Sequence, residues 1–130
     1  MEARTKNTEP PVVLIVEDEL FLRSDLADCF RDAGFVVLEV ARAEEAMVFC
    51  RDKTTVQALI TDIQLNGSGS GWDVANAFRG QLLSLPVIYT SGDANDRTRA
   101  VSGSVFFNKP YHPEEVVKAC QRLCRFWDTA

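Results

Sequence analysis

Residues 59–75, LITDIQLNGSGSGWDVA, run from an apolar stretch into an amphipathic one. A single acid, Asp62, stands where the first ends, and three glycines, Gly67, Gly69 and Gly71, lie between. The unbroken apolar run is that of a strand buried on both faces, while Val74, Ala77, Phe78 and Leu82 return at helical spacing. A strand passing through a short loop into a helix is half of a parallel βαβ unit. The glycines invite comparison with a phosphate-cradling loop, a nucleotide-binding reading that the rest of the chain has to decide.

Working outward, the same alternation repeats. PVVLIVEDE (11–19) opens with Val12 to Val16 and stops abruptly in three acids, as a buried strand does. Leu22, Leu26, Cys29, Phe30 and Ala33 follow at helical spacing, with Gly34 as the stop. A second strand is expected over 35–40, then a helix carrying Ala43, Ala46, Met47 and Cys50, and a third strand over 56–61. Val87 to Tyr89, entered by Pro86, and Val105 to Asn108 supply strands four and five. Val116, Cys120, Leu123, Cys124 and Trp127 mark the inner stripe of a last helix. Pro113 suits its first turn, where Glu114 and Glu115 complement the positive helix end. The fourth helix is the weak member: GDANDRTRAVSGS (92–104) has only Ala94, Ala100 and Val101 for a stripe, and is expected to be poorly packed or mobile, or a short solvated helix. Five strand–helix alternations imply a parallel sheet with helices on both faces.

The 130 residues suffice for one domain, expected over 12–130 behind a polar, disordered tail, 1–11. A net charge of −5 argues against a nucleic-acid surface, which needs clustered Lys and Arg. No segment approaches the roughly 20 apolar residues of a membrane span, and the N-terminus lacks the apolar centre of a secretion signal. Cys29, Cys50, Cys120 and Cys124 each fall within a helical apolar pattern and read as small buried hydrophobes in a reducing cytoplasm. Cys120 and Cys124 share a helix face, but nothing else in the chain completes a zinc set.

In open parallel sheets, ligands bind beyond the carboxyl ends of the strands. This chain places Glu17, Asp18 and Glu19 after strand one, Asp62 after strand three, Thr90 and Ser91 after strand four, and Asn108, Lys109 and Pro110 after strand five. Crowded carboxylates repel, and a hard cation relieves them; Mg²⁺ suits one or two carboxylates with waters left for phosphate oxygens. Lys109 offers a point charge suited to a phosphoryl group, Thr90 a hydroxyl, and a carboxylate beside the metal is a plausible phosphoryl acceptor. Such chemistry is mostly positioning and charge neutralisation.

With LIVEDE (14–19), LITDIQL (59–65), VIYTSG (87–92) and FFNKPY (106–111) in this order, the chain resembles the receiver domain of two-component response regulators from about Val12 to Trp127. The resemblance implies a flavodoxin-like (βα)5 three-layer fold of strand order 2-1-3-4-5. It implies Asp62 as phospho-acceptor and Mg²⁺ (or Mn²⁺) held by Asp18 and Asp62, with Glu17 acting through water and Gln64 through its carbonyl. Lys109 and Thr90 would bind the phosphoryl group and, with Asp62, make up the catalytic set; Phe106 would hold the aromatic switch position. The bond before Pro110 would be cis. The partners implied are a sensor histidine kinase or His phosphotransfer protein, and a downstream protein docking on the fourth helix, fifth strand and fifth helix. A soluble cytoplasmic monomer or weak homodimer, contacting neither nucleic acid nor membrane, is expected.

Asn66 stands where many receivers carry Pro, Gly71 comes one residue late, and Phe106 lacks the hydroxyl of the commoner Tyr. A more flexible loop over 66–71 is therefore expected. Gln64 and Gly92 fall at positions that tune phosphoryl lifetime in the family, and His112 reads as an exposed, tolerated cap. Because the chain ends near its last helix, output by protein binding is expected, either as a docking regulator or as a phosphate sink or relay for a shared kinase. The nucleotide- or flavin-binding alternative is weak, since the glycines do not fit G-x-G-x-x-G and follow the third strand.

Overall fold

A computed structural model describes residues 9–92 and 97–124. In chain order the elements are β1 (Val12–Val16), α1 (Leu20–Asp32), β2 (Val36–Val40), α2 (Ala43–Arg51), β3 (Ala58–Asp62), α3 (Gly71–Gln81), β4 (Val87–Ser91), β5 (Val105–Asn108) and α4 (Pro113–Leu123). All strand pairs are parallel, and the sheet order is β2-β1-β3-β4-β5, as expected. β3 and β4 are buried at every position, so each opens on an apolar run, Ala58–Ile60 and Val87–Tyr89, and buries two polar residues at its carboxyl end.

Two cores flank the sheet. Leu14, Val16, Leu59, Val87 and Tyr89 meet Ala46 of α2 and Trp72, Val74 and Phe78 of α3 on one face. Val13, Ile15, Ile60 and Ile88 meet Leu26 and Phe30 of α1 and Val116 and Cys120 of α4 on the other. The alternation of side chains along each strand divides these residues between the layers. Gly34, at φ +96°, ends α1, a conformation that glycine adopts without the cost a side chain imposes.

Several expectations need correction. Among the described residues no helix lies between β4 and β5, so the described chain has four helices. Arg97–Ser104 forms turns with i→i+3 bonds, Ala100 N–H to Arg97 O (3.1 Å) and Ser104 N–H to Val101 O (3.3 Å). Two apolar residues cannot make a stripe, and Gly103 sits at φ +74°, off the helical region. Nor is the segment loosely attached: Val101 N–H donates to Tyr89 Oη (3.1 Å), and Arg79 donates to Ser102 O (2.7 Å). Ala94 lies outside the described residues, as do residues 1–8 of the expected tail and Trp127 of the last helix. The tail reading is too long at its far end, since Pro11 O accepts from Val36 N–H at 2.8 Å and so joins the sheet edge. Cys50, Cys120 and Cys124 are buried, whereas Cys29 is only half-buried at the margin of α1; all four are free.

Candidate functional site

The acids after β1, β3 and the lysine after β5 converge because three parallel strands end at one edge. Carboxylate oxygens of Glu17, Asp18 and Asp62 lie within 4.8 Å of one another. Lys109 Nζ donates to Asp62 Oδ2 at 2.8 Å and sits 2.9 Å from Glu17 Oε1. The Lys109–Pro110 bond is cis, and Lys109 N–H is held by Ser91 O at 2.8 Å. Thr90 is buried and pairs in register with Asp62, placing its side chain at the same edge.

The backbone fixes the acids. Glu19 N–H donates to Glu17 Oε2 (2.9 Å), and Glu19 in turn caps α1 by accepting from Leu22 N–H. Gln64 N–H donates to Asp62 Oδ1 (3.2 Å) and Asn66 N–H to Asp18 Oδ2 (3.2 Å). The glycine loop is thus anchored on the cluster at one end. At the other, Ser70 and Asp73 form a capping box at the start of α3. These bonds oppose the looseness expected of residues 66–71.

Burial pushes the Glu17 and Asp62 carboxyls up from their usual range, opposed only in part by the Glu19 N–H and Lys109 at Glu17 and by Lys109 at Asp62. Burial also disfavours the Lys109 ammonium, but Asp62 and Glu17 together outweigh it and raise its pKa. One ammonium therefore serves two buried acids, with Asp18 beside them and half-exposed. Glu17 Oε1 is buried and lacks a hydrogen bond of proper angle even at 2.9 Å from Nζ. A hard, oxygen-seeking cation fits that oxygen, whose one countercharge is shared with Asp62, and the all-carboxylate donor set. Among the described residues this is the only group of three or more acid, His or Cys side chains so placed.

Phe106 is not part of the cluster. It lies partly buried in an aromatic stack on the α3 side, its centroid 5.0 Å from Tyr89 and 5.9 Å from Trp72. The carboxyl edge carries further contacts that the sequence did not indicate. Gly71 packs against the Asp62 carbonyl, with no room for a Cβ, and donates from its N–H to Ile63 O at 2.9 Å. Arg23 donates to Glu17 O at 2.9 Å, and Arg97 covers the Phe106 ring at 4.2 Å. Only the glycine left a trace in the sequence, as a glycine one residue late, and it is the first buried residue of α3. The arginines carry no comparable signal in the sequence.

A family model described as the response regulator receiver domain matches residues 13–121. Nodulation protein W of Bradyrhizobium diazoefficiens is 30% identical over 122 residues, covering 91% of this chain and 51% of that protein. A putative response regulator, NtrX-like, of Rickettsia bellii is 29% identical over 86% of this chain and 24% of its own length. The chain thus spans about half or less of these curated relatives. Among solved structures, a response regulator receiver protein from Sinorhizobium medicae superposes with a TM-score of 0.87 at 26% identity, covering 92% of this chain and 98% of that one. The receiver domain of the hybrid histidine kinase CckA gives 0.73 at 30% identity, over 86% and 97%. Fold, strand-edge chemistry and relatives agree: the chain belongs to the response regulator receiver domain family.

Proposed function

We propose that the chain is a phosphoryl-accepting signalling switch, phosphorylated on Asp62 by a histidine kinase or phosphotransfer protein in a Mg²⁺-dependent step. The observation that carries this reading is the single ammonium of Lys109 shared between Asp62 and Glu17, with Asp18 alongside. Glu17, Asp18 and Asp62, with the carbonyl of Gln64, would hold the ion, which when bound supplies Lewis-acid neutralisation of phosphoryl charge.

An Asp62 oxygen forms the new P–O bond while the P–N bond of the donor's phosphohistidine breaks. The electron pair stays on the imidazole, which takes up a proton. Lys109 neutralises a phosphoryl oxygen, and Thr90 donates a hydrogen bond to another. The phosphoryl group brings about −1.5 to −2 charge and biases an existing equilibrium in the neighbouring side chains. Phe106 is the aromatic that answers the movement of Thr90, and the signal is read by a protein that docks on β5, α4 and the Arg97–Ser104 segment. A docking regulator and a phosphate sink share this chemistry and differ in phosphoryl lifetime.

The test is intact mass after incubation with Mg²⁺ and a small phosphodonor. A single phosphoryl gain, absent in Asp62→Asn and in the presence of chelator, is expected. An equal gain in Asp62→Asn would overturn the assignment.

A further inference from the structure

The segment that replaces the expected fourth helix is built around Phe106. Its first described residue, Arg97, places its guanidinium carbon 4.2 Å from the Phe106 ring centroid. Tyr89, the register partner of Phe106 on β4, lies 5.0 Å away by ring centroids, with Trp72 beyond at 5.9 Å. Phe106 is thus stacked against two rings and covered by a cation. The segment that carries the cation is fastened independently. Tyr89 Oη accepts from Val101 N–H, Arg99 pairs with Asp73 at 3.4 Å, and Arg79 bridges Leu85 O and Ser102 O at 2.8 and 2.7 Å. Ala100 and Val101 pack onto the α3-side core beside Phe106.

This arrangement has a consequence for a side chain that must change position. A phenylalanine has no hydroxyl to hold it in one rotamer, so its resting position depends on what its ring touches. The contact with Arg97 is specific to the ring's present position, and any rotation that carries the ring away from the guanidinium forfeits it. The fastenings at Val101 and Ser102 keep the segment, and with it Arg97, from following freely.

We propose that Arg97 is a latch on the phosphorylation switch: its guanidinium, seated on the Phe106 ring, stabilises the resting arrangement, and phosphorylation of Asp62 must break that contact. This rests on the function proposed above and adds the regulation of that site. It assigns the Arg97–Ser104 segment a role in setting the switch equilibrium. Release of Arg97 also frees a cation at the edge of the surface a downstream partner would read.

The test compares wild type, Arg97→Gln and Arg97→Lys as full chains, titrated with beryllium fluoride in Mg²⁺, in a Trp127→Phe background so that Trp72 is the sole indole. Loss of an exposed cation–π contact shifts the equilibrium roughly two- to fivefold, so Arg97→Gln should bind beryllium fluoride tighter by that factor, with Arg97→Lys between it and wild type. In the unliganded wild type, NMR should show the Arg97 side-chain protons shielded by the Phe106 ring, and beryllium fluoride should remove the shielding. Equal affinity in wild type and Arg97→Gln, or unshielded Arg97 protons at rest, would overturn the latch while leaving the phosphoacceptor reading intact. A wild type that neither responds to beryllium fluoride nor gains phosphoryl mass would overturn both.

Discussion

Gly71 lies so close to Asp62 that a Cβ added to it would overlap the Asp62 carbonyl oxygen. The glycine opens α3, and its N–H is bonded to Ile63 O one residue past the acid, so neither partner has room to retreat. The start of the helix and the end of the β3 strand are thereby held as one unit, and the carboxylate of Asp62 takes its position from that unit.

Gly71→Ala should therefore destabilise the fold by about 1–3 kcal/mol, the range of forced overpacking, and shift Asp62. Gly80, in the same helix, has open space where a methyl group would stand. Gly80→Ala should stabilise by about 0.5–1 kcal/mol, as removal of a helical glycine does. Denaturant unfolding of the two variants checks the contrast; equal effects would contradict the close approach.

Lys109 is the ammonium shared by two buried carboxylates, each of which otherwise accepts a backbone N–H. Lys109→Met should cost about 3 kcal/mol in chelator, because it leaves both acids buried and unpaired. Saturating Mg²⁺ should return part of that loss by neutralising the same oxygens. Thermal unfolding with and without the ion measures both quantities. A Lys109→Met protein as stable as wild type in chelator would argue against the shared pair.

Glu17 is 2% exposed and faces Asp62, a like charge. Glu17→Gln should raise stability in chelator by about 1 kcal/mol, since one repulsive, desolvated charge is removed. The same change should shrink the stabilisation gained on adding Mg²⁺. Calorimetric titration with Mg²⁺ alone gives the affinity, and an unchanged value would remove Glu17 from the ligand set.

Both tyrosines titrate late. Burial raises the phenol of Tyr89, against a weaker opposing effect of the Val101 N–H, and burial followed by Glu17 and Asp62 raises that of Tyr111 further. A phenol whose pKa is higher in the folded than in the unfolded state contributes stability that is full below the ordinary value of 10.0 and is lost as pH rises through the folded value. Tyrosinate absorbance should therefore appear only above that pH, together with loss of structure. Tyr89→Phe should lessen the alkaline sensitivity; a reversible ionisation near pH 10 in the folded protein would contradict the burial.

Much of this was legible in the chain. Unbroken apolar runs ending in charge gave the strands, returning apolar positions gave four of the helices, and the order of acids, hydroxyl and lysine at the strand ends marked the site. These signals are local: periodicity reports the face a residue turns to the core, and a parallel sheet brings every strand's carboxyl end to one edge. What the periodicity could not supply was contact between distant residues. Lys109 reaches Asp62 across 47 positions, and it reaches Glu17 only because β1 and β3 are neighbours in the sheet. The fourth helix failed where sequence support was thinnest, and bonds from Tyr89 and Arg79 hold the turns that stand in its place.

The sequence by itself determined the alternating architecture and which chemical groups stand at the strand ends, because both follow from short-range pattern. Tertiary structure alone decided that one ammonium serves two acids, that Gly71 is there for want of space beside Asp62, and that Arg97 rests on Phe106. Each of those depends on close packing between elements far apart in the chain, where tenths of an ångström separate a contact from a clash.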